Sequence, residues 1–140
     1  MRVMAAMLCL TAGALVYLLF RPTTLLLFVL AGRAGCMPTV LRLRALAADV
    51  QLPDVVVSSL PGGLWSAAWV LLMSAVFSSQ ERPWRLFATG LIPAVGVLSE
   101  GAQALGLIGG TADISDALCY LLPWLAYLFV NGVSAMDNPL

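Results

Sequence analysis

The stretch that decides the fold is VMAAMLCLTAGALVYLLF, residues 3–20, which carries no charge. Arg2 precedes it and Arg21-Pro22 closes it. About 20 predominantly apolar residues are enough for a helix to cross the hydrocarbon core of a bilayer. We therefore expect a first transmembrane helix here. A cleaved signal peptide is the alternative, with Ala12-Gly13-Ala14 as its cleavage site, but the apolar run continues beyond that site.

The composition of the whole chain agrees with a membrane location. Of its 140 residues, 61% are apolar and only 10% are charged, whereas a soluble domain has about 45–50% apolar and roughly 25% charged residues. The excess of apolar side chains must face something other than water, so the lipid bilayer is the expected partner. A net charge of zero without Lys or His argues against nucleic-acid binding and excludes histidine chemistry.

Three further segments are predicted to span the membrane, at about 60–78, 86–105 and 114–131. A charged turn, Glu81 to Arg85, separates the second span from the third, and Gly106 to Gly110 form a glycine-rich link to the fourth. Pro93 predicts a kink in the third span. Cys9, Cys36 and Cys119 show no CxxC spacing, so neither a disulfide framework nor a cysteine metal site is expected.

The region of about 24–50 contains no run long enough to span a bilayer. Within it, apolar residues recur at three- and four-residue spacing, which predicts an amphipathic helix lying at the interface or on the bundle: Val40, Leu43, Leu46, Ala47 and Val50. We therefore predict an all-α fold, with residues 1–140 forming a single membrane domain. It is an integral membrane four-helix bundle with an amphipathic helical segment between the first and second spans.

The arginines give a weak indication of orientation. Three of them, Arg2, Arg82 and Arg85, share the side of the N-terminus, and four lie in the loop of about 40 residues on the other side. Arginines in an interfacial helix count less in the positive-inside rule. We therefore expect both termini in the cytoplasm.

Glu100 is the most informative residue, because it follows three apolar turns of the third predicted span. A charge at the centre of a membrane helix costs about 2.5–3.5 kcal/mol on insertion scales, so this carboxylate must be neutral, paired or in contact with water. Gln103 lies three residues on and shares its helix face. Glu100 is therefore expected to belong to a polar network, as architecture or as a site.

Asp113 and Asp116 open the fourth predicted helix, where they are close to Glu100 across the turn. One interpretation is helix capping, in which both acids complement the helix N-terminus. The other is a shared centre of three carboxylates, which would suit a divalent cation, although no cofactor is identified. No Arg follows Arg85 and the chain has no Lys, so anion recognition would need an arginine from the first loop.

At these positions the sequence resembles the VanZ-like family of small bacterial membrane proteins. The resemblance lies in Ser99-Glu100-Gly101-Ala102-Gln103 and in Gly109-Gly110-Thr111-Ala112-Asp113-Ile114-Ser115-Asp116. Gly110 and Tyr120 stand where many members have arginine and asparagine, and the Asp-Lys-x-x-His element is absent. Ser59 to Trp65 and Leu19-Phe20-Arg21-Pro22 resemble elements of a divergent branch.

The resemblance implies a multi-pass protein of the bacterial inner membrane, in a family mostly without a known activity. Its namesake is associated with glycopeptide resistance, which indicates the cell envelope. The candidate residues of the polar centre are Glu100, Gln103, Thr111, Asp113 and Asp116.

Three functions stay open at this point. The first is a non-enzymatic envelope protein, whose partner is another envelope protein or a second copy of this chain. This one is favoured because no base is available to activate Ser99 or Ser115. The second is a metal-assisted enzyme acting on a membrane lipid or lipid-linked precursor. The third is a small oligomeric transporter or proton-linked channel.

Overall fold

The structure, a computed structural model, describes residues 1–136, with side chains as far as Asn131. Within this range the protein consists of helices without any strand, which confirms the all-α class. The seven helices are α1 Arg2–Phe20, α2 Leu26–Arg33, α3 Met37–Leu46, α4 Asp54–Ser58, α5 Leu60–Val76, α6 Arg82–Ala104 and α7 Ile114–Met136.

Four long helices, α1, α5, α6 and α7, alternate in direction along the chain. The Nη1 atom of Arg2, at the start of α1, donates to the Ser74 carbonyl near the end of α5 at 3.1 Å. The Nη2 atom of Arg21, just after α1, donates to the Ser58 carbonyl just before α5 at 2.9 Å. Helix α5 packs against α1, α6 and α7, so it lies at the centre of the arrangement.

Glycines let α5 and its neighbours approach closely. A Cβ atom added to Gly13 of α1 would lie 2.7 Å from Nε1 of Trp65, and one added to Gly63 would lie 3.1 Å from the Cys119 carbonyl oxygen of α7. A Cβ on Gly96 of α6 would overlap the Tyr120 ring. Small residues at such crossings are how helices pack in membranes.

Hydrogen bonds between helices fix the same contacts. The Ser66 hydroxyl of α5 donates to the Tyr120 carbonyl of α7 at 2.7 Å. Helix α7 also contains Pro123, three residues after Tyr120. The Trp69 indole of α5 donates to the Ala88 carbonyl of α6 at 2.8 Å. The Trp124 indole of α7 lies 3.2 Å from the hydroxyl of Thr89, which is fully buried.

The distribution of side chains is opposite to that of a water-soluble bundle. The buried polar side chains are Ser59, Ser66, Ser74, Thr89 and Glu100, while the buried apolar ones are mostly small. The outer face of α6, in contrast, carries Phe87, Leu91, Val95 and Leu98, and the first and last of these are 65% and 71% exposed.

Within the described residues 1–136, two helices are long and apolar enough to cross a membrane, judged by length and composition alone. They are Arg2–Phe20 and the Ile114–Asn131 part of α7. Helix α5 is also apolar but has only 17 residues.

Two predicted boundaries differ from those in the structure, at the start of α6 and at the end of α7. Helix α6 begins at Arg82, not at about residue 86, because Pro83 lies in its first turn and suits a helix start. It then continues through Pro93 to Ala104. Helix α7 continues beyond residue 131, the predicted end of the fourth span, to Met136.

The connecting region of 24–50 folds as two short helices. Gly35 has a φ of 72° and ends α2, with the Cys36 N–H bonded to the Ala31 carbonyl at 2.9 Å, which is a Schellman motif. Leu43 and Leu46 of the predicted apolar face are 47% and 85% exposed.

Arg44 explains the orientation of α3. Its Nη1 atom donates to the carbonyls of Leu18 and Arg21, at 2.8 and 2.9 Å, where the end of α1 leaves them without partners. Its guanidinium also lies 5.6 Å from the centre of the Phe28 ring. The arginine therefore faces α1, and the leucines are turned outward.

Replacing Gly96 by alanine should destabilise the bundle by about 1–3 kcal/mol, because the new methyl group would overlap the Tyr120 ring. Gly101→Ala is the matched control in the same helix, since nothing lies within 4 Å of its added Cβ. That change should raise stability by up to about 1 kcal/mol. The measurement is thermal unfolding of both variants in one detergent, and equal midpoints would contradict the close contact.

Candidate functional site

Three acidic residues and one arginine lie together at one end of the bundle. Because the long helices alternate in direction, the ends of α1 and α6 and the starts of α5 and α7 lie together there. We call this the polar end. It contains Arg21, Glu100, Asp113 and Asp116, whereas Arg2 lies at the opposite end, beside Ser74.

Glu100 is buried at the polar end, with 9% of its surface exposed. Its Oε2 atom accepts a hydrogen bond from the Asp113 backbone N–H at 3.0 Å. The carboxylate therefore bonds to the backbone that opens α7. A buried carboxylate that accepts an N–H bond is partly compensated for its loss of water.

Asp113 is the N-cap of α7. Its Oδ1 atom accepts from the Ser115 N–H at 2.8 Å, and its carbonyl accepts from the N–H groups of Asp116 and Ala117. Its side chain is exposed. The capping interpretation thus accounts for the position of this carboxylate.

Gln103 packs against the glycine-rich link. Gly106 has a φ of 68° and ends α6 in a second Schellman motif, in which the Leu107 N–H bonds to the Ala102 carbonyl at 2.9 Å. Gly110 has a φ of 133°, and a Cβ there would lie 2.5 Å from Oε1 of Gln103. Thr111 is exposed in this link.

Asp116 belongs to a different part of the polar end. It lines a cavity of about 140 Å³ between α1, the start of α5 and α7. Six of the residues that line it belong to these helices or directly flank them: Tyr17, Arg21, Ser59, Trp65, Asp116 and Tyr120. We call this space the interhelical cavity.

Two buried polar atoms at the interhelical cavity have no hydrogen-bond partner. They are Oδ1 of Asp116 and Nε of Arg21. The Arg21 guanidinium lies 5.8 Å from the centre of the Tyr17 ring, and that ring lies 5.5 Å from the Trp65 ring. Buried polar atoms are nearly always paired, so these two are exceptions among the described side chains.

The Tyr120 side chain lines the interhelical cavity. Its ring packs between Gly62 of α5 and Gly96 of α6. The polar end thus has two parts, the α6–α7 turn and the interhelical cavity.

The five candidate residues are distributed over both parts. Glu100, Gln103 and Asp113 meet at the turn, Asp116 faces the cavity, and Thr111 is exposed. Sequence reasoning did not include Arg21 in the site. The signal was available, since Arg21 directly follows the first apolar run and an antiparallel bundle brings that end to the start of the fourth helix.

The three carboxylates do not form a common cation site. Glu100 and Asp113 each bond to backbone N–H groups, and Asp116 points into the cavity beside Arg21. Across residues 1–136, no group of three or more His, Cys, Asp or Glu side chains is arranged to hold a metal ion.

A comparison with known protein families, with curated proteins and with solved structures finds no match for this chain. Fold and site thus define an all-helical protein with small and polar residues inside, apolar residues outside and one end that gathers Arg21, Glu100, Asp113 and Asp116.

Glu100→Ala should lower the free energy of unfolding by about 1–3 kcal/mol, because the Asp113 N–H would lose its carboxylate acceptor. Glu100→Gln keeps a side-chain oxygen and should lose less. Thermal unfolding in detergent measures both, with the exposed Asp49→Ala as control. Equal losses for alanine and glutamine would show that the charge, not the acceptor, is what matters.

Gly110→Ala should cost about 1–3 kcal/mol, because alanine rarely adopts its φ and the methyl group meets Gln103. Gly109→Ala, next to it, has open space around the added Cβ and should change stability little. Adding Gln103→Ala to the Gly110 variant should recover only the steric part of the loss. Indistinguishable unfolding midpoints for the two single variants would contradict this packing.

Proposed function

We propose that this chain is a VanZ-like integral membrane protein of the bacterial cell envelope, with α1, α5, α6 and α7 as four membrane spans. In this proposal the protein is non-enzymatic and its polar end is a structural and ligand-binding centre. Both termini are in the cytoplasm, so the polar end lies at the outer surface of the inner membrane. A second copy or an envelope protein is the expected protein partner.

The observation that carries the proposal is the reversed polarity of the helices. On α6 the buried positions include Thr89, Gly96 and Glu100, while the exposed positions include Phe87 and Leu98. In water this arrangement would expose the apolar face and bury the polar one, against the hydrophobic effect. In lipid the same arrangement is favourable, because the apolar outer face contacts lipid tails and the polar groups form hydrogen bonds between the helices.

The placement of charge supports four spans. No charged residue occurs in 3–20, 55–80, 86–99 or 117–136, so every charge of the four long helices lies near an end. At 1.5 Å per residue, the 17 residues of α5 cover about 26 Å and the 23 of α6 about 34 Å. A hydrocarbon core of about 30 Å accommodates both through tilt and local adjustment.

The connecting helices support an interfacial position of the polar end. Helix α2 buries only Phe28 and exposes Leu26, Leu27, Val29 and Leu30. Helix α3 buries none of its residues. Short helices with exposed leucines beside arginines are typical of segments that lie in the headgroup region.

The non-enzymatic assignment and the link to the envelope rest on different grounds. The residues quoted for the VanZ-like resemblance form the α6–α7 turn, in which Glu100 accepts from Asp113 and Gln103 packs on Gly110. These contacts stabilise the turn. None of them pairs a carboxylate with a nucleophilic side chain that it could activate. A relation to glycopeptide resistance follows from the resemblance alone.

Labelling with a membrane-impermeant maleimide tests the four spans. Three proteins carry one cysteine each in an otherwise cysteine-free chain: the native Cys36 between α2 and α3, Ser79→Cys between α5 and α6, and Gly109→Cys between α6 and α7. Positions 36 and 109 should label from outside intact cells. Position 79 should label only after the membrane is opened.

The alternative topology gives a different pattern. If only α1 and α7 cross, then α5 and α6 stay on one side and all three positions label together. Cys9, retained alone within α1, is the control and should label only in detergent. Recovery of the protein in the soluble fraction would contradict the membrane proposal altogether.

A further inference from the structure

We propose that the interhelical cavity binds a small zwitterionic headgroup with a primary ammonium and a phosphate, as in phosphatidylethanolamine. This inference rests on the proposed membrane location, because that location puts the cavity at headgroup depth. Asp116 would receive the ammonium and Arg21 the phosphate. It names a ligand class for one part of the polar end and assigns none to the α6–α7 turn.

The charge of the cavity favours a zwitterion. Arg21 and Asp116 both line it, one cationic and one anionic, and each has a buried polar atom without a partner. A ligand with one charge would satisfy one of these groups and repel the other. A neutral ligand without charges would leave both less well compensated than water does. A ligand with both charges, a few ångströms apart, satisfies the two together.

The ammonium side distinguishes ethanolamine from choline. Oδ1 of Asp116 is a buried acceptor, so it needs a donor. A primary ammonium has three N–H donors, whereas a quaternary ammonium has none. The rings of Tyr17, Trp65 and Tyr120 also line the cavity and can face a cation. Aromatic walls suit both headgroups, but only ethanolamine satisfies the carboxylate.

The phosphate side is provided by arginine. The Arg21 guanidinium already donates through Nη2 to the Ser58 carbonyl, which holds the group in place, while its Nε–H has no partner. Planar guanidinium groups bind phosphate oxygens through more than one N–H. The Ser59 side chain lines the same space. A volume of about 140 Å³ is much more than one water needs and suits a group of headgroup size.

The test uses the full chain, purified in a mild detergent and examined by native mass spectrometry and by thermal unfolding with added lipid. The lipids are phosphatidylethanolamine, phosphatidylcholine and phosphatidylglycerol with the same acyl chains. Phosphatidylethanolamine should bind tightest and raise the unfolding midpoint most. Soluble O-phosphoethanolamine is a separate arm, which shows whether the headgroup chemistry suffices or the lipid is required.

Asp116→Asn is the decisive variant. It removes the charge but keeps the size, so the fold should survive in detergent alone, while affinity for phosphatidylethanolamine should fall about tenfold or more. Preference for ethanolamine over choline should be lost with it. Asp49→Asn, an exposed carboxylate between α3 and α4, is the matched control and should leave lipid binding unchanged.

A variant of the phosphate side guards against misfolding. Arg21→Gln removes the charge and the bond from Nη2 to the Ser58 carbonyl but keeps a polar side chain at this position. It should weaken binding of all three phospholipids, with Arg42→Gln on the exposed face of α3 as its control. Affinity without headgroup preference in the native protein, or a preference unaffected by Asp116→Asn, would overturn the inference.

The two proposals fail in different ways. A protein with four spans that shows no ethanolamine preference contradicts the ligand and leaves the membrane fold standing. A loss of stability in Asp116→Asn without any lipid effect means that Arg21 and Asp116 are linked by water as a structural pair, which also overturns the ligand. A protein that the labelling experiment places outside the membrane removes both.

Discussion

The close packing of α5 against three neighbours is the contact on which the rest of the structure depends. Gly13 of α1 meets Trp65, and Gly63 meets the backbone of α7 at Cys119. In the proposed bilayer location, apolar side chains offer no preference for a helix over lipid tails, so such contacts rely on close fit and on hydrogen bonds such as that from Ser66 to Tyr120. They also align the end of α1 with the starts of α5 and α7, which brings Arg21 and Asp116 to one cavity.

The α6–α7 turn shows how a buried acid can serve architecture. Glu100 uses its carboxylate as a strong acceptor for one N–H of the first turn of α7, while Asp113 caps that helix from outside. Glycines at 106 and 110 permit the tight path between them. Contacts from both helices therefore hold the turn, which lies at the same end of the bundle as the interhelical cavity.

The sequence predicts the long helices well because their signal is local. Apolar runs between charged or glycine-rich breaks predict both ends of α1 and α5 and the start of α7 to within a few residues. The end of α7 is the exception, because the helix continues past residue 131. The region of 24–50 is harder, because its orientation depends on Arg44 reaching the carbonyls of α1, a contact distant in sequence. Periodicity alone predicted an apolar face lying at the interface or on the bundle, and this contact is what turns Leu43 and Leu46 outward.

The candidate site is predictable to a similar extent. The position of Glu100, Gln103 and Asp113 around one turn follows from their spacing, and so does the capping by Asp113. The separate location of Asp116 does not follow from the sequence. Helix capping and a shared centre of three carboxylates are interpretations of the same aspartates, and the spacing does not separate them. The position of Arg21 directly after the first apolar run indicates that it lies at this end of the bundle, and the packing of α1 against α5 puts it across the cavity from Asp116.

Pro123 interrupts the hydrogen bonding of α7. A proline has no N–H, so the Cys119 carbonyl one turn earlier lacks its usual helical donor. The Ser66 hydroxyl bonds to the neighbouring Tyr120 carbonyl and ties this part of α7 to α5. Asp116 and Tyr120 both precede Pro123. A bend of α7 at the proline would therefore move these two cavity residues together, as one unit with the start of the helix.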